Sequence, residues 1–123
     1  MYEIRFMNMK TTIRSFTDLH TWQEAHKLVI LVYQVTKKFP REEIYSLTDQ
    51  MRRAVISITS NIAEGFGRQT FKEKVQFYYQ AQGSLIDLKN QLLAAKDIGY
   101  LAKIDFDMLA TQANIAHQLL QGL

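Results

Sequence analysis

The stretch from Ser46 to Arg68, SLTDQMRRAVISITSNIAEGFGR, constrains the fold more than any other, because it carries two helical stripes at once. Leu47, Met51, Ala54, Val55, Ile58, Ile62 and Phe66 recur at spacings of three and four, an apolar stripe suited to the core of a helical bundle. Arg53, Ser57, Asn61, Glu64 and Arg68 follow the same period on a neighbouring face. Ser46 and Asp49 have the spacing of a capping box, so a helix over 46–66 is predicted. Gly65 and Gly67 are expected to supply the left-handed backbone that stops it. The polar stripe could hold a ligand or a partner's backbone, but such a stripe is more often a network that fixes helix register or a solvated face.

Three more helices are predicted around this one. The first spans 16–38: Ser15 and Asp18 make a second capping box, and Pro40 forbids continuation. The third spans 71–98, opened by Thr70 and Glu73 and ended before Gly99. Its seam is Phe71, Val75, Tyr78, Leu85, Leu88, Leu92 and Ala95, and Gly83 interrupts it, so a close helix crossing is expected there. The fourth spans 105–121, capped by Asp105, with Met108, Leu109, Ile115, Ala116 and Leu119 toward the bundle. Short connections make successive helices antiparallel, giving an all-α, up-down-up-down four-helix bundle over 15–123. Residues 1–14 hold Arg5, Lys10 and Arg14 against Glu3, with no helical period. They read as a flexible or extended arm that touches RNA phosphates, lies across a neighbouring subunit, or is an upstream extension.

A stretch of the first helix implies a partner. Leu28 to Tyr33 is apolar for six residues in a row, which carries the apolar surface right round a helix. A four-helix bundle has no central helix to absorb that, so Leu28, Ile30, Leu31 and Tyr33 are candidates for a homo-oligomer interface.

Several kinds of chemistry are excluded or find no support. With no cysteine there is no disulfide, thiolate metal site or thiol catalysis. No glutamate has a histidine three residues later, as a di-metal bundle would need, and His20, His26 and His117 do not group by spacing. Gly65-Phe66-Gly67-Arg68 mimics half of a dinucleotide fingerprint but follows a helix and lacks the third glycine. No catalytic residue, metal or cofactor is expected. The first ten residues lack the apolar core of a secretory signal, and Leu28 to Tyr33 is too short to span a bilayer. Cytoplasmic residence without membrane contact is therefore the expectation.

A net charge of +3 permits attraction to nucleic acid without demanding it. The candidates are Arg52, Arg53, Arg68, Lys72 and Lys74, grouped about the second helix and its turn into the third, together with the arm's basic residues. Phe71, Phe77 and Tyr79 lie near enough in sequence to stack bases, although such rings are more often core. The amides opening the third helix, beside Arg68 and Lys72, form a candidate phosphate site.

The run SITSNIAEGFGR, preceded by LTDQMRRAV, followed by AQGSLIDLKNQLLAAKDIGYL and fronted by DLHTWQEAHKL, resembles the four-helix-bundle family encoded by intervening sequences inside bacterial 23S ribosomal RNA genes. NIAEG and the later GSL are the most specific pieces, and the resemblance runs from about Phe16 to near the C-terminus. It implies a small bacterial bundle, often a ring-shaped homopentamer, with no established enzymatic activity. The family's architecture is similar to that of retroelement accessory variability proteins, which implies binding to RNA or DNA and to a reverse transcriptase. Its motif gathers Ser57, Asn61, Glu64, Gly65, Arg68, Gly83 and Ser84 into one polar network, with Gly83 and Ser84 beside Ser57 and Asn61. Asp87 stands where the family has glutamate, and Lys89 where it more often has an acid. The expected role is a non-enzymatic homo-oligomeric scaffold or adaptor on nucleic acid; the alternative is an oligomer that binds a protein or small ligand and no nucleic acid.

Overall fold

The computed structural model describes residues 2–6 and 9–123, with side chains from Thr12 onward. Two strands, β1 (Tyr2–Phe6) and β2 (Met9–Ile13), pair antiparallel, with Tyr2 opposite Ile13 and Phe6 opposite Met9. Then come α1 (His20–Thr36), α2 (Leu47–Gly67), α3 (Phe71–Ile98) and α4 (Lys103–Gln121). The helix α1 packs on α2 and α4, and α3 packs on the same two, so the four follow one another around the core as an up-down-up-down bundle.

The Ser15 and Asp18 box exists, but it opens a separate 3-10 turn, Phe16–Asp18. Asp18 accepts the amides of Arg14 at 2.9 Å and Ser15 at 3.1 Å, and Ser15 Oγ accepts that of Thr17. Leu19 is extended, so α1 starts only at His20 and ends at Thr36, shorter than the expected 16–38. There the Thr36 hydroxyl donates to the Val32 carbonyl at 2.7 Å.

At α2 the Ser46 and Asp49 box does not form. Ser46 makes no side-chain cap and Asp49 pairs with Arg53, while Glu43 reaches in from the preceding 3-10 turn to accept the Leu47 amide at 3.2 Å. The other end also differs from expectation. Gly65 and Gly67 stay in the helix, and the only glycine with positive φ among the described residues is Gly99, at 98°. Gly99 ends α3, where its amide and those of Tyr100 and Leu101 close on Ala95. The bounds of α3 match 71–98. Asp105 does not cap α4, which begins at Lys103; it lies in the first turn and pairs with Lys38 at 3.7 Å.

The core is built from α1 (Leu28, Val32), α2 (Met51, Val55, Ile58, Ile62), α3 (Leu85, Leu88, Leu92) and α4 (Leu109), every one at most 1% exposed. On α4 the buried register is Leu109, Ala113, Ala116 and Leu120, spaced four, three and four. Met108 and Ile115, expected inside, are exposed. Small Ala113 and Ala116 let α4 sit close, so the buried stripe is rotated from the one the larger side chains suggest.

Candidate functional site

The motif residues of α2 and α3 separate into three groups. In the first, Ser57 Oγ lies 2.8 Å from Ser84 Oγ across the interface, and Asn61 Nδ2 donates to the Ser57 carbonyl at 2.9 Å and its hydroxyl at 3.2 Å. This partly buried joint fixes the register of α2 on α3. The second is Gly65. A β-carbon there would stand 2.5 Å from Cε1 of Tyr78 and 3.2 Å from Cβ of Phe77, so the close helix approach is at Gly65. Gly83 is exposed with open space around it, and the crossing expected there is absent. The third is on the surface: Arg68 pairs with Glu64 at 3.3 Å, reaches Glu73 at 4.0 Å and lies 4.6 Å above the Phe77 ring.

The basic candidates do not form one patch. Lys74 donates to the Gly65 and Phe66 carbonyls at 3.2 and 2.7 Å, serving the C-terminal end of α2, where its charge is favoured. Arg53 pairs with Asp49 at 2.9 Å. Arg52 donates to the Thr36 hydroxyl at 2.9 Å and lies 4.7 Å from the Tyr33 ring centre. Lys72 is exposed and has no ion pair among the described residues. Arg14 is exposed too, while the side chains of Arg5 and Lys10 lie outside the described residues. At the head of α3, Thr70 accepts the Glu73 amide at 3.2 Å and the Glu73 carboxylate lies 3.1 Å from the Thr70 hydroxyl. The Glu73 carboxylate therefore places a negative charge beside the amides considered for a phosphate.

A concavity of about 660 Å³ opens between α1 and α2, with Tyr33, Ile44, Tyr45, Arg52, Arg53 and Ile56 on its walls. Tyr45 is 92% exposed, Ile44 49% and Ile56 42%. Of the interface candidates, Leu28 is wholly buried in its own chain and offers nothing to another. Leu31 is half-buried against the core, whereas Ile30 and Tyr33 face out. Ile44, Tyr45 and Ile56 were not among the sequence candidates. The signal for the first two is a pair of large apolar residues in a helix-to-helix linker, a place usually polar; for Ile56 it is an apolar residue off the core stripe.

Tyr100 donates to Glu43 at 3.0 Å, tying the turn after α3 to the start of α2. The Leu47 amide, then the Tyr100 hydroxyl, hold the Glu43 carboxyl below its usual range, and the Tyr100 phenol is raised in return. Between α3 and α4, Lys89 Nζ lies 2.8 Å from His117 Nδ1, and burial followed by the Lys89 charge lowers the His117 pKa. Among the described residues, no three His, Asp or Glu come together as a metal cluster, and no helix is long and apolar enough to cross a membrane.

The crystal structure of a protein of unknown function from the S23 ribosomal protein family, from Bacteroides thetaiotaomicron, superposes with a TM-score of 0.77 at 14% identity, covering 83% of this chain and 92% of that one. At that identity the likeness establishes the shared four-helix fold. No curated protein matches the sequence. The family model for the 23S rRNA-intervening sequence protein matches residues 17–122, all four helices, and the chain therefore belongs to that family.

Proposed function

We propose that the protein is a non-enzymatic helical-bundle scaffold that assembles with copies of itself through the face shared by α1 and α2. The observation that carries this reading is the cluster of Tyr33, Ile44, Tyr45 and Ile56, exposed together around one concavity between α1 and α2, with Ile30 exposed one turn before Tyr33 on α1. Burying one such side chain is worth roughly 1.5–3 kcal/mol, so a partner surface that covers several gains substantially. Tyrosine and arginine are the residue types that anchor interfaces, and Arg52 on Tyr33 adds a guanidinium with no carboxylate partner among the described residues. A ring of five copies and a reverse-transcriptase partner in the cytoplasm are the finer form of this proposal, taken from the family resemblance.

Light scattering at micromolar concentration tests it. The expected mass is a multiple of 14.4 kDa, and Tyr45→Asp is expected to lower it while circular dichroism keeps its helical signature. A wild-type monomer under those conditions overturns the reading.

Nucleic-acid binding is the second reading, favoured by the net charge of +3 and by exposed Lys72 and Arg14. Against it, Arg53 and Arg68 are already paired with acids, which leaves fewer charges to displace counterions. Retention of RNA that falls steeply with salt, and is lost when Arg52, Arg53 and Arg68 are neutralised together, would favour it; no retention at low salt leaves assembly with a protein or small-ligand partner.

A further inference from the structure

On the far side of the bundle from the assembly face, a narrow slot of about 160 Å³ runs between α3 and α4. Leu92 and Leu93 of α3 and Phe106 and Ala110 of α4 line it, with Lys89 and Asn114 also at its edge. Its lining is almost wholly apolar, and none of these residues is acidic. Phe106, Ala110 and Asn114 follow one another every four residues, so they mark out about 12 Å along α4. Ala110 makes the recess: a larger residue between Phe106 and Asn114 would fill it. Leu92 is buried whereas Leu93 is 48% exposed, an apolar lip left to water.

One cation, Lys89, lies at the edge of this apolar slot, and a second, Lys96, lies over the ring of Phe106 that lines it. Lys96 Nζ lies 4.4 Å from the Phe106 ring centre, and Lys89 Nζ lies 2.8 Å from His117 Nδ1. A neutral imidazole accepts one ammonium proton and leaves two donors unused. Neither lysine has a carboxylate partner among the described residues, whereas Lys27, Lys38 and Lys103 all do. Nearby Asp107 is engaged by Lys103 at 2.9 Å, and Asp105 by Lys38.

We propose that this slot binds a small amphiphilic carboxylate, its tail against Leu92, Leu93 and Ala110 and its head on Lys89 and Asn114. The tail is limited by volume: an apolar cavity of about 150 Å³ takes up a molecule of benzene's size, so a short alkanoate or aryl-alkanoate fits and a long lipid chain does not. The head is set by charge, because a cation in the slot would meet the Lys89 ammonium, and an alcohol, although it can accept from Lys89, would not balance its charge. His117 stays neutral beside Lys89, held so by burial and by that charge, and competes weakly with an incoming anion.

Hexanoate is the probe, followed through the methyl signals of Leu92, Leu93 and Ala110 in the full-length protein, with 1-hexanol, hexylammonium and acetate as comparisons. Saturable shifts confined to these methyls are expected for hexanoate. Hexanol is expected to bind about tenfold more weakly, the worth of one charge-assisted hydrogen bond, and hexylammonium and acetate not measurably. Lys89→Met is expected to weaken hexanoate by about the same factor and hexanol much less. Ala110→Leu is expected to fill the slot and abolish both, and Lys89→Met decides alone if that variant does not fold. Equal binding of hexanol and hexanoate, indifference to Lys89→Met, shifts spread over the whole surface, or no shifts because a second copy covers the slot would each overturn the proposal.

Discussion

Glycines of this chain look alike in sequence and differ entirely in duty. Gly65, buried in α2, gives the Tyr78 ring of α3 room that no side chain can share, so Gly65→Ala is expected to destabilise the fold by about 1–3 kcal/mol through overpacking. Gly67, also helical, has nothing within 4 Å of where a β-carbon would stand. Gly67→Ala is expected to be neutral or to stabilise by up to about 1 kcal/mol, since alanine is the better helix former. Urea unfolding of both variants checks the pair, and a similar midpoint for the two would refute the assignment of the close approach to Gly65. The NIAEGFG run reads from sequence as a stop signal because glycine is the usual means of entering left-handed backbone. What ends α2 instead is the extended backbone of Arg68, with Lys74 on the last carbonyls, a residue six positions further on that only the packing of α3 on α2 delivers. By contrast the Ser57, Asn61 and Ser84 joint was legible in part: helical spacing places the first two on one face, and Ser84 meets them as expected, although Gly83, whose crossing was the reason to bring it there, stands in open space.

Between elements, two titratable joints give opposite pH signatures. His117 on α4 packs against Lys89 of α3, and its folded pKa lies below the ordinary 6.5. Above 6.5 both folded and unfolded forms are neutral and nothing changes; as pH falls below 6.5 the unfolded chain takes up the proton first, so stability is lost until the folded group also titrates. Thermal melts from pH 8 down to about 5 are expected to show this decline, and His117→Gln is expected to flatten it. Glu43 works in a lower range. Its folded pKa lies below 4.5, so its contribution is complete above that value and fades as pH falls through the folded one. Glu43→Gln is expected to lower the melting temperature at neutral pH and to lessen the acid-induced loss below 4.5; an unaltered acid profile would show that the Leu47 and Tyr100 contacts do not stabilise the start of α2. Capping at α2 was misplaced in sequence because Ser46 has the right spacing to Asp49, while Glu43 caps from an irregular turn that no periodicity reports. The long regular α3, bounded by Thr70 and Gly99, was read closely, since both of its ends are made by local chemistry.

At the scale of the whole molecule, helix number, order and antiparallel packing were legible because each follows from periods of three and four and from loop length. The outward faces were legible only in part: the unbroken apolar run of α1 pointed to Ile30 and Tyr33, both exposed, but Ile44, Tyr45 and Ile56 were missed, since an apolar residue in an amphipathic helix looks the same whether it meets its own bundle or another. Ile56 and Ile58 make that distinction measurable, two residues apart on α2. Ile58 is fully buried, and Ile58→Ala is expected to cost about 2–5 kcal/mol at every protein concentration, the usual cost of emptying a core position. Ile56 is 42% exposed beside Tyr33 and Tyr45, so its own bundle covers only part of it. If copies cover this face, assembly adds to stability by mass action, and the wild-type melting temperature rises with protein concentration. Ile56→Asp is then expected to remove that dependence while leaving the melt at the lowest concentration close to wild type. A wild-type melt that does not move with concentration, or an Ile56→Asp variant that unfolds as Ile58→Ala does when dilute, would mean the exposed apolar face of α1 and α2 answers to something other than a second copy of the chain.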